Sequence, residues 1–144
     1  MQLSARNQLL VEISEVKRGA VNSEIIAKLD EGENLRAIIT EQSEEALGLT
    51  VNKKVLFIFK ASSVILGKVS NEKDLLISAA NKIKGKVCDI KLGTVNAEVI
   101  IQTRSNHKIS SIITNESVKN LDIKIGDEVL ALIKASNILI GVNK

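Results

Sequence analysis

The sequence states one pattern twice. Ser4-Ala5-Arg6-Asn7 returns as Ser78-Ala79-Ala80-Asn81, and Lys17-Arg18-Gly19-Ala20-Val21-Asn22-Ser23-Glu24 returns as Lys91-Leu92-Gly93-Thr94-Val95-Asn96-Ala97-Glu98. Ile38-Ile39-Thr40 returns as Ile112-Ile113-Thr114, and Lys60-Ala61-Ser62 as Lys134-Ala135-Ser136. A single offset of 74 residues aligns Ser4–Gly67 with Ser78–Gly141 without a gap. A match of that length means two copies of one folding unit. A solenoid would show shorter and more numerous repeats. Beyond the apolar positions, the repeated residues are Ser, Thr, Asn, Lys and Gly, which are suited to holding a small anion.

Each copy has about 65 residues, close to the lower limit for a core that stands alone. Such units are expected to gain stability by packing on each other or by oligomerising. With 44% hydrophobic and 26% charged residues the composition is globular. No apolar run approaches the ~20 residues needed to cross a bilayer. The segment from Met1 to Glu12 lacks the apolar stretch of a signal peptide, so a cytoplasmic protein is expected. Cys88 is the single cysteine and has Ser14 as its counterpart, which fits a small strand residue in a reducing compartment. His107 is the single histidine. Its counterpart is Glu33, and no companion ligands stand at metal-binding spacing, so no metal cation is expected. The net charge of +3 suits a small anion. Phe57 and Phe59 are the only aromatic residues, and single-strand nucleic-acid binders need aromatic platforms for stacking.

Period-two alternation dominates the chain. Val11 and Ile13, then Ser23–Leu29, Leu35–Ile39, Val55–Phe59 and Val64–Leu66, read as strands rich in β-branched residues. Gly19 and Asp30-Glu31-Gly32 mark turns, with Gly93 and Ser105-Asn106 as their partners in the second copy. Ser43 to Gly48 predicts a short helix, with Ser43 as cap, glutamates in the first turn and Gly48 at the end. Ser117–Leu121 is the matching piece. The fold class is therefore all-β: two tandem OB-fold-like five-stranded barrels, each with one short helix. The expected domains are residues 1–69 and 70–144, with a short polar linker at Lys68–Ile77 that holds the barrels close together.

Catalytic signatures are missing from the sequence. It has no Cys/His pair, no Gly-x-Ser-x-Gly and no phosphate-binding glycine-rich loop. Glu24 and Glu98 are equivalent strand glutamates, and pairing with Lys17 and Lys91 or with a neighbouring subunit explains them better than general-base work. The repeated polar set reads as a binding site. In Lys60-Ala61-Ser62 a lysine closes a strand and a tight turn follows, whose successive N–H groups can converge as an anion nest. The serine adds a donor and the lysine a compact charge. Ser4-Ala5-Arg6 offers similar groups from an extended segment, and Thr40 and Thr114 end strands with a hydroxyl. Ordinary turn chemistry explains any one of these residues. The recurrence of all three groups in both copies favours binding. About six donors to a dianion, each contributing about 1.5–3 kcal/mol, are enough for micromolar affinity at about −8 kcal/mol.

Together, Ser-Ala-Arg-Asn, Lys-x-Gly-Ala-Val-Asn-x-Glu, Ile-Thr-x-x-Ser and Lys-Ala-Ser-x-Val-Ile-Leu-Gly resemble the Mop domain of molbindins, small cytoplasmic proteins that bind molybdate and tungstate. The resemblance covers almost the whole chain, twice, as in a tandem (di-Mop) molbindin. It implies OB-like barrels assembled with oxyanion sites between Mop domains, six domains in all, hence a homotrimer of two-domain chains. The implied oxyanion contacts fall on Ser4, Ala5, Arg6, Thr40, Lys60, Ala61 and Ser62. In the second copy they fall on Ser78, Ala79, Thr114, Lys134, Ala135 and Ser136. The turns holding Gly19, Ala20 and Asn22, and Gly93, Thr94 and Asn96, are implied as secondary oxyanion sites near the symmetry axis. The chain departs from the motif at Ala80, where arginine is expected, and Leu92 replaces Arg18.

The resemblance thus implies a non-enzymatic cytoplasmic protein that binds molybdate or tungstate for storage or homeostasis, without organic cofactor, nucleic acid or membrane partner. The alternative is the oxyanion-sensing module, as a fragment, of a molybdate-responsive regulator or transporter ATPase. An OB-type nucleic-acid binder is a further alternative.

Overall fold

The computed structural model describes residues 3–30, 32–68 and 76–143. The first copy supplies β1 (Asn7–Arg18), β2 (Asn22–Asp30), β3 (Glu33–Thr40), β4 (Lys54–Phe59) and β5 (Val64–Gly67), with helix α1 at Glu41–Leu47. The second supplies β6 (Asn81–Leu92), β7 (Asn96–Gln102), β8 (Lys108–Thr114), β9 (Glu128–Ile133) and β10 (Leu139–Gly141), with α2 at Asn115–Asn120. The chain thus has two curled five-stranded antiparallel sheets and little helix, which is the all-β class expected from the alternation. Most of the expected linker, residues 69–75, lies outside the described residues, as does Glu31 of the expected turn. So does the expected domain boundary.

The long first strand of each copy does two jobs. Its N-terminal half pairs with β4, from Asn7↔Phe59 to Glu12↔Lys54, and its C-terminal half pairs with β2. A register shift between Ile13 and Glu15 separates the halves and lets the sheet curl. β6 repeats this, with its shift between Val87 and Asp89. Alternation buries Leu9, Val11 and Ile13 while Leu10 and Glu12 face out.

The fifth strand of each copy crosses over. The sheet orders are β10-β4-β1-β2-β3 and β5-β9-β6-β7-β8. β5 pairs with β9 from Val64↔Ile133 to Gly67↔Leu130, and β10 pairs with β4 from Leu139↔Ile58 to Gly141↔Leu56. Each barrel is therefore completed by the other copy, and one apolar cluster runs through both, from Leu9 to Ile138. Units this small need such support. Phe57 and Phe59 sit in this cluster at 0% and 1% exposure, so they fill the chain's own core.

Two buried asparagines stitch the copies together. Asn7 donates from Nδ2 to Ser110 O and accepts at Oδ1 from Ser110 N, both at 2.8 Å. Asn81 does the same to Arg36, at 2.8 and 2.7 Å, and adds Ile133 O at 3.2 Å. Each side-chain amide acts as one more rung of a β-ladder across the seam. Where β5 ends, Lys68 Nζ meets Asp127 Oδ2 at 3.1 Å and donates to Asp122 O at 2.8 Å. The Lys124 backbone N–H, then the Lys68 ammonium, hold the Asp127 carboxyl below the usual aspartate value.

The helices start earlier than their sequence signals suggest. Thr40, not Ser43, caps α1, its hydroxyl accepting from Ser43 N at 3.1 Å, and Thr114 caps α2 through Ser117 N at 3.0 Å. A threonine at the end of a strand serves the next helix directly. Gly48 closes α1 in the left-handed region at φ 60°.

Candidate oxyanion site

Lys60 follows β4, and the chain tightens into a 3₁₀ turn at Ala61–Ser63 before β5. Ser63 N donates to Lys60 O at 2.9 Å and closes the turn. The first N–H groups of such a turn have no acceptor within it, so Ala61 and Ser62 keep theirs for something else. Ala61 is buried and fixes the turn to the core, while Lys60 and Ser62 are exposed. Beside it runs the extended segment that leads into β1. Because β1 pairs with β4 in the register Asn7↔Phe59, the segment just before Asn7 lies against the turn just after Phe59.

The result is a cavity of about 140 Å³ lined by Ser4, Ala5, Arg6, Lys60, Ala61 and Ser62, with Ile112 of β8 as an apolar wall. Two stretches more than fifty positions apart in sequence converge here, carrying two cations, two hydroxyls and the free N–H groups of a turn. Charge-assisted hydrogen bonds to an oxyanion are the chemistry such a set can perform. In the second copy, Lys134 leads into the turn Ala135–Asn137, closed by Asn137 N to Lys134 O at 2.9 Å. Ala135 is buried there, Lys134 and Ser136 are exposed, and Ser78 and Ala79 precede β6.

Thr40 and Thr114 do not line this cavity. Thr40 pairs with Asn22 and Thr114 with Asn96, which places both beside the β1–β2 and β6–β7 turns. Those turns hold Gly19, Ala20 and Asn22, and Gly93, Thr94 and Asn96, all exposed. A Cβ at Gly93 would stand 2.7 Å from Asn96 O, and one at Gly19 would collide with Asn22 O, so both tight turns require glycine. The sequence-derived residues thus form two groups in each copy rather than one.

Arg6 has a second partner that sequence reasoning missed. Its Nη1 lies 3.0 Å from Glu98 Oε2, and Ser110 Oγ donates to the same oxygen at 2.6 Å. The equivalent Glu24 is met by Arg36 Nη1 at 3.1 Å, and Arg36 is the counterpart of Ser110. Each glutamate therefore keeps one arginine, drawn from the opposite copy at Glu98 and from the neighbouring strand at Glu24. Lys17 and Lys91 stand farther off, at 3.8 and 4.0 Å. The sequence signal was the reciprocal exchange Arg6/Ala80 and Ser110/Arg36 between the repeats. Among the described residues no group of His, Cys, Asp and Glu is arranged to hold a metal cation.

The TOBE domain pattern matches residues 3–66 and again residues 77–140. The chain belongs to the TOBE domain family. Both TOBE units coincide with the internal repeat, which bears out the tandem reading. The molybdenum transport protein ModE of Azotobacter vinelandii is 34% identical over 142 residues, covering 99% of this chain and 52% of that protein. Molybdenum-pterin-binding protein 1 of Clostridium pasteurianum is 44% identical over 64 residues, 44% of this chain and 94% of that protein, the span of one TOBE unit. Among solved structures, the cytoplasmic molybdate-binding protein ModG, crystallised with molybdate bound, is 38% identical. It superposes with a TM-score of 0.91, covering 99% of this chain and 100% of that one. The chain spans about half the length of the curated relatives that it matches from end to end.

Proposed function

We propose that this chain binds molybdate or tungstate without chemical turnover, at sites built from Ser4-Ala5-Arg6 with Lys60-Ala61-Ser62 and from their second-copy equivalents. The observation that carries this reading is the convergence of those six residues on one oxyanion-sized cavity. The molybdate-bound relative of the same two-unit architecture supports it. The turns at Gly19–Asn22 and Gly93–Asn96 serve as secondary sites, completed by neighbouring subunits of a homotrimer. The cytoplasm is the compartment, in keeping with the name of that relative. No helix among the described residues is long and apolar enough to cross a membrane. Storage or buffering of the anion is the role.

Calorimetric titration with molybdate, tungstate and sulfate, with a mass measurement of the assembly, tests this. Saturable binding of the two metal oxyanions is expected. Lys60→Met with Lys134→Met should remove the sites while leaving the circular dichroism spectrum unchanged. Unaltered stoichiometry in that double variant would sink the assignment. A second reading, the sensing module of a larger regulator, draws on the half-length match to ModE. The buried state of Phe57 and Phe59 removes the stacking platform that an OB-type nucleic-acid binder needs.

A further inference from the structure

A second cavity, of about 300 Å³, opens on the second repeat, lined by residues 84–86 of β6, 102–104 at the end of β7, and Glu128 of β9. Topology creates it. Lys86 pairs with both Glu128 and Gln102 and is the N-terminal limit of the β6–β7 pairing. Toward its start β6 keeps β9 but loses β7, because β7 turns away at Thr103, whose N–H donates to His107 O at 2.9 Å. A wedge is left between the two strands. Gly85 stands at its narrow end: a Cβ there would lie 3.1 Å from Gln102 O and 3.2 Å from Ile101 Cδ1.

The wedge is cationic. Its lining holds three cations, Lys84, Lys86 and Arg104, and one carboxylate, Glu128, and outside the lining Glu33 Oε1 accepts from Lys84 N at 3.2 Å. Lys86 and Arg104 are exposed. Among the described residues no ion pair engages either of them.

The first repeat is an internal control. On the same backbone plan it places Leu10 for Lys84, Val11 for Gly85, Glu12 for Lys86, Asp30 for Arg104 and Lys54 for Glu128. With Lys28 for Gln102 and Leu29 for Thr103, not one lining position is shared, and the charges of Glu12, Asp30, Lys28 and Lys54 cancel. The oxyanion cavity behaves oppositely, since Ser78, Ala79, Lys134, Ala135 and Ser136 repeat its first-copy residues and Arg6 alone is exchanged, for Ala80. The barrel therefore does not require the basic wedge.

Size selects the ligand class. The wedge has about twice the volume of the oxyanion cavity, more than a bare tetrahedral anion fills. It sits at the lower end of the ~300–1,000 Å³ typical of small-molecule sites. The methylene stems of the two lysines and Arg104 offer apolar contact, and their heads suit a phosphate. We infer that the wedge binds a small organic phosphate, a phosphomonoester of about mononucleotide size, separately from the oxyanion sites.

Amide NMR titration of the full chain, with excess molybdate present throughout, tests this. The probes are AMP and glucose 6-phosphate, with adenosine and inorganic phosphate as controls. At least one phosphomonoester should shift the Gly85, Thr103 and Arg104 amides saturably, with a Kd below about 1 mM. The controls should bind at least tenfold more weakly. Lys86→Gln with Arg104→Gln should weaken binding tenfold or more and leave molybdate stoichiometry unchanged. Gly85→Val, the first-copy residue, should block the wedge, whereas Glu12→Gln in the first copy should change nothing. The inference is overturned by the absence of saturable shifts with either phosphomonoester up to about 10 mM, by equal binding of inorganic phosphate or adenosine, or by unchanged affinity in the double variant.

Discussion

Beside the first helix the two repeats fill one space with opposite chemistry. In the first, Glu44 is 2% exposed, lies 2.8 Å from Arg18 Nε and accepts a long 3.5 Å bond from Ser23 Oγ. In the second, the same three positions are Val118, Leu92 and Ala97. Ala97 is buried and Val118 packs on the core. One backbone thus accepts a buried carboxylate with its cation or a plain apolar contact. At the seam the repeats agree instead: Asn7 and Asn81 make the same paired bonds to the opposite copy. Agreement marks what the interlocked fold demands, and divergence marks what it leaves open.

Breaking the agreement should cost most. Asn81→Ala removes three hydrogen bonds and strands the Arg36 N–H and C=O at the seam. Each orphaned group costs about 1–3 kcal/mol, so a loss of roughly 4 kcal/mol is expected. Asn7→Ala, which removes two bonds, should cost roughly 3 kcal/mol. Urea denaturation of both variants checks the order. A loss under about 1 kcal/mol in either would mean that water replaces the amide without penalty.

The repeat and its alternation made the strands, the two-unit plan and the Lys-Ala-Ser turns legible, because period two and paired motifs are local signals. The exchange of β5 and β10 was not legible. Val64–Leu66 has the same apolar pattern whether it pairs with β4 or β9, and only the path of the turn at Ala61–Ser63 decides. Asn7 and Asn81 stood in the repeated motif, but their partners lie in the other copy, so their role was hidden. The Thr40 cap was misassigned to Ser43 because both residues suit a cap and the strand end is not marked. The basic wedge is a break in the repeat, which a search for matching residues passes over.

The divergent triad gives the next test. Arg18→Leu alone, the second-copy residue, leaves Glu44 buried beside one long hydrogen bond. A loss of about 2 kcal/mol is expected, below the ~3–5 kcal/mol for a fully buried pair because Arg18 is largely exposed. The triple change Arg18→Leu, Ser23→Ala, Glu44→Val reproduces the second copy and should recover that loss or exceed the parent. Thermal unfolding without anion separates the two cases. A triple variant less stable than Arg18→Leu would show that the surrounding packing, not the triad, differs between the repeats.

The smallest effect should come from the exchanged arginines. Arg6 lines the candidate oxyanion cavity and meets Glu98, whereas its counterpart Ala80 offers no charge and Glu24 draws on Arg36. Anion titration should therefore resolve two classes of site. A hydrogen bond to a charged group contributes about 1.5–3 kcal/mol. Because Arg6 divides its donors between Glu98 and the cavity, the low end applies, about tenfold in affinity. Arg6→Ala should weaken the tighter class by that factor. Ala80→Arg with Arg36→Ser transplants the whole first arrangement and should raise the weaker class toward the tighter. Ala80→Arg alone should do less, since Arg36 still occupies Glu24 and no carboxylate is free to orient the new guanidinium. Equal affinities at all sites, or a single substitution as effective as the pair, would show that the segments before β1 and β6 act through their backbones and that the arginines serve only the glutamates.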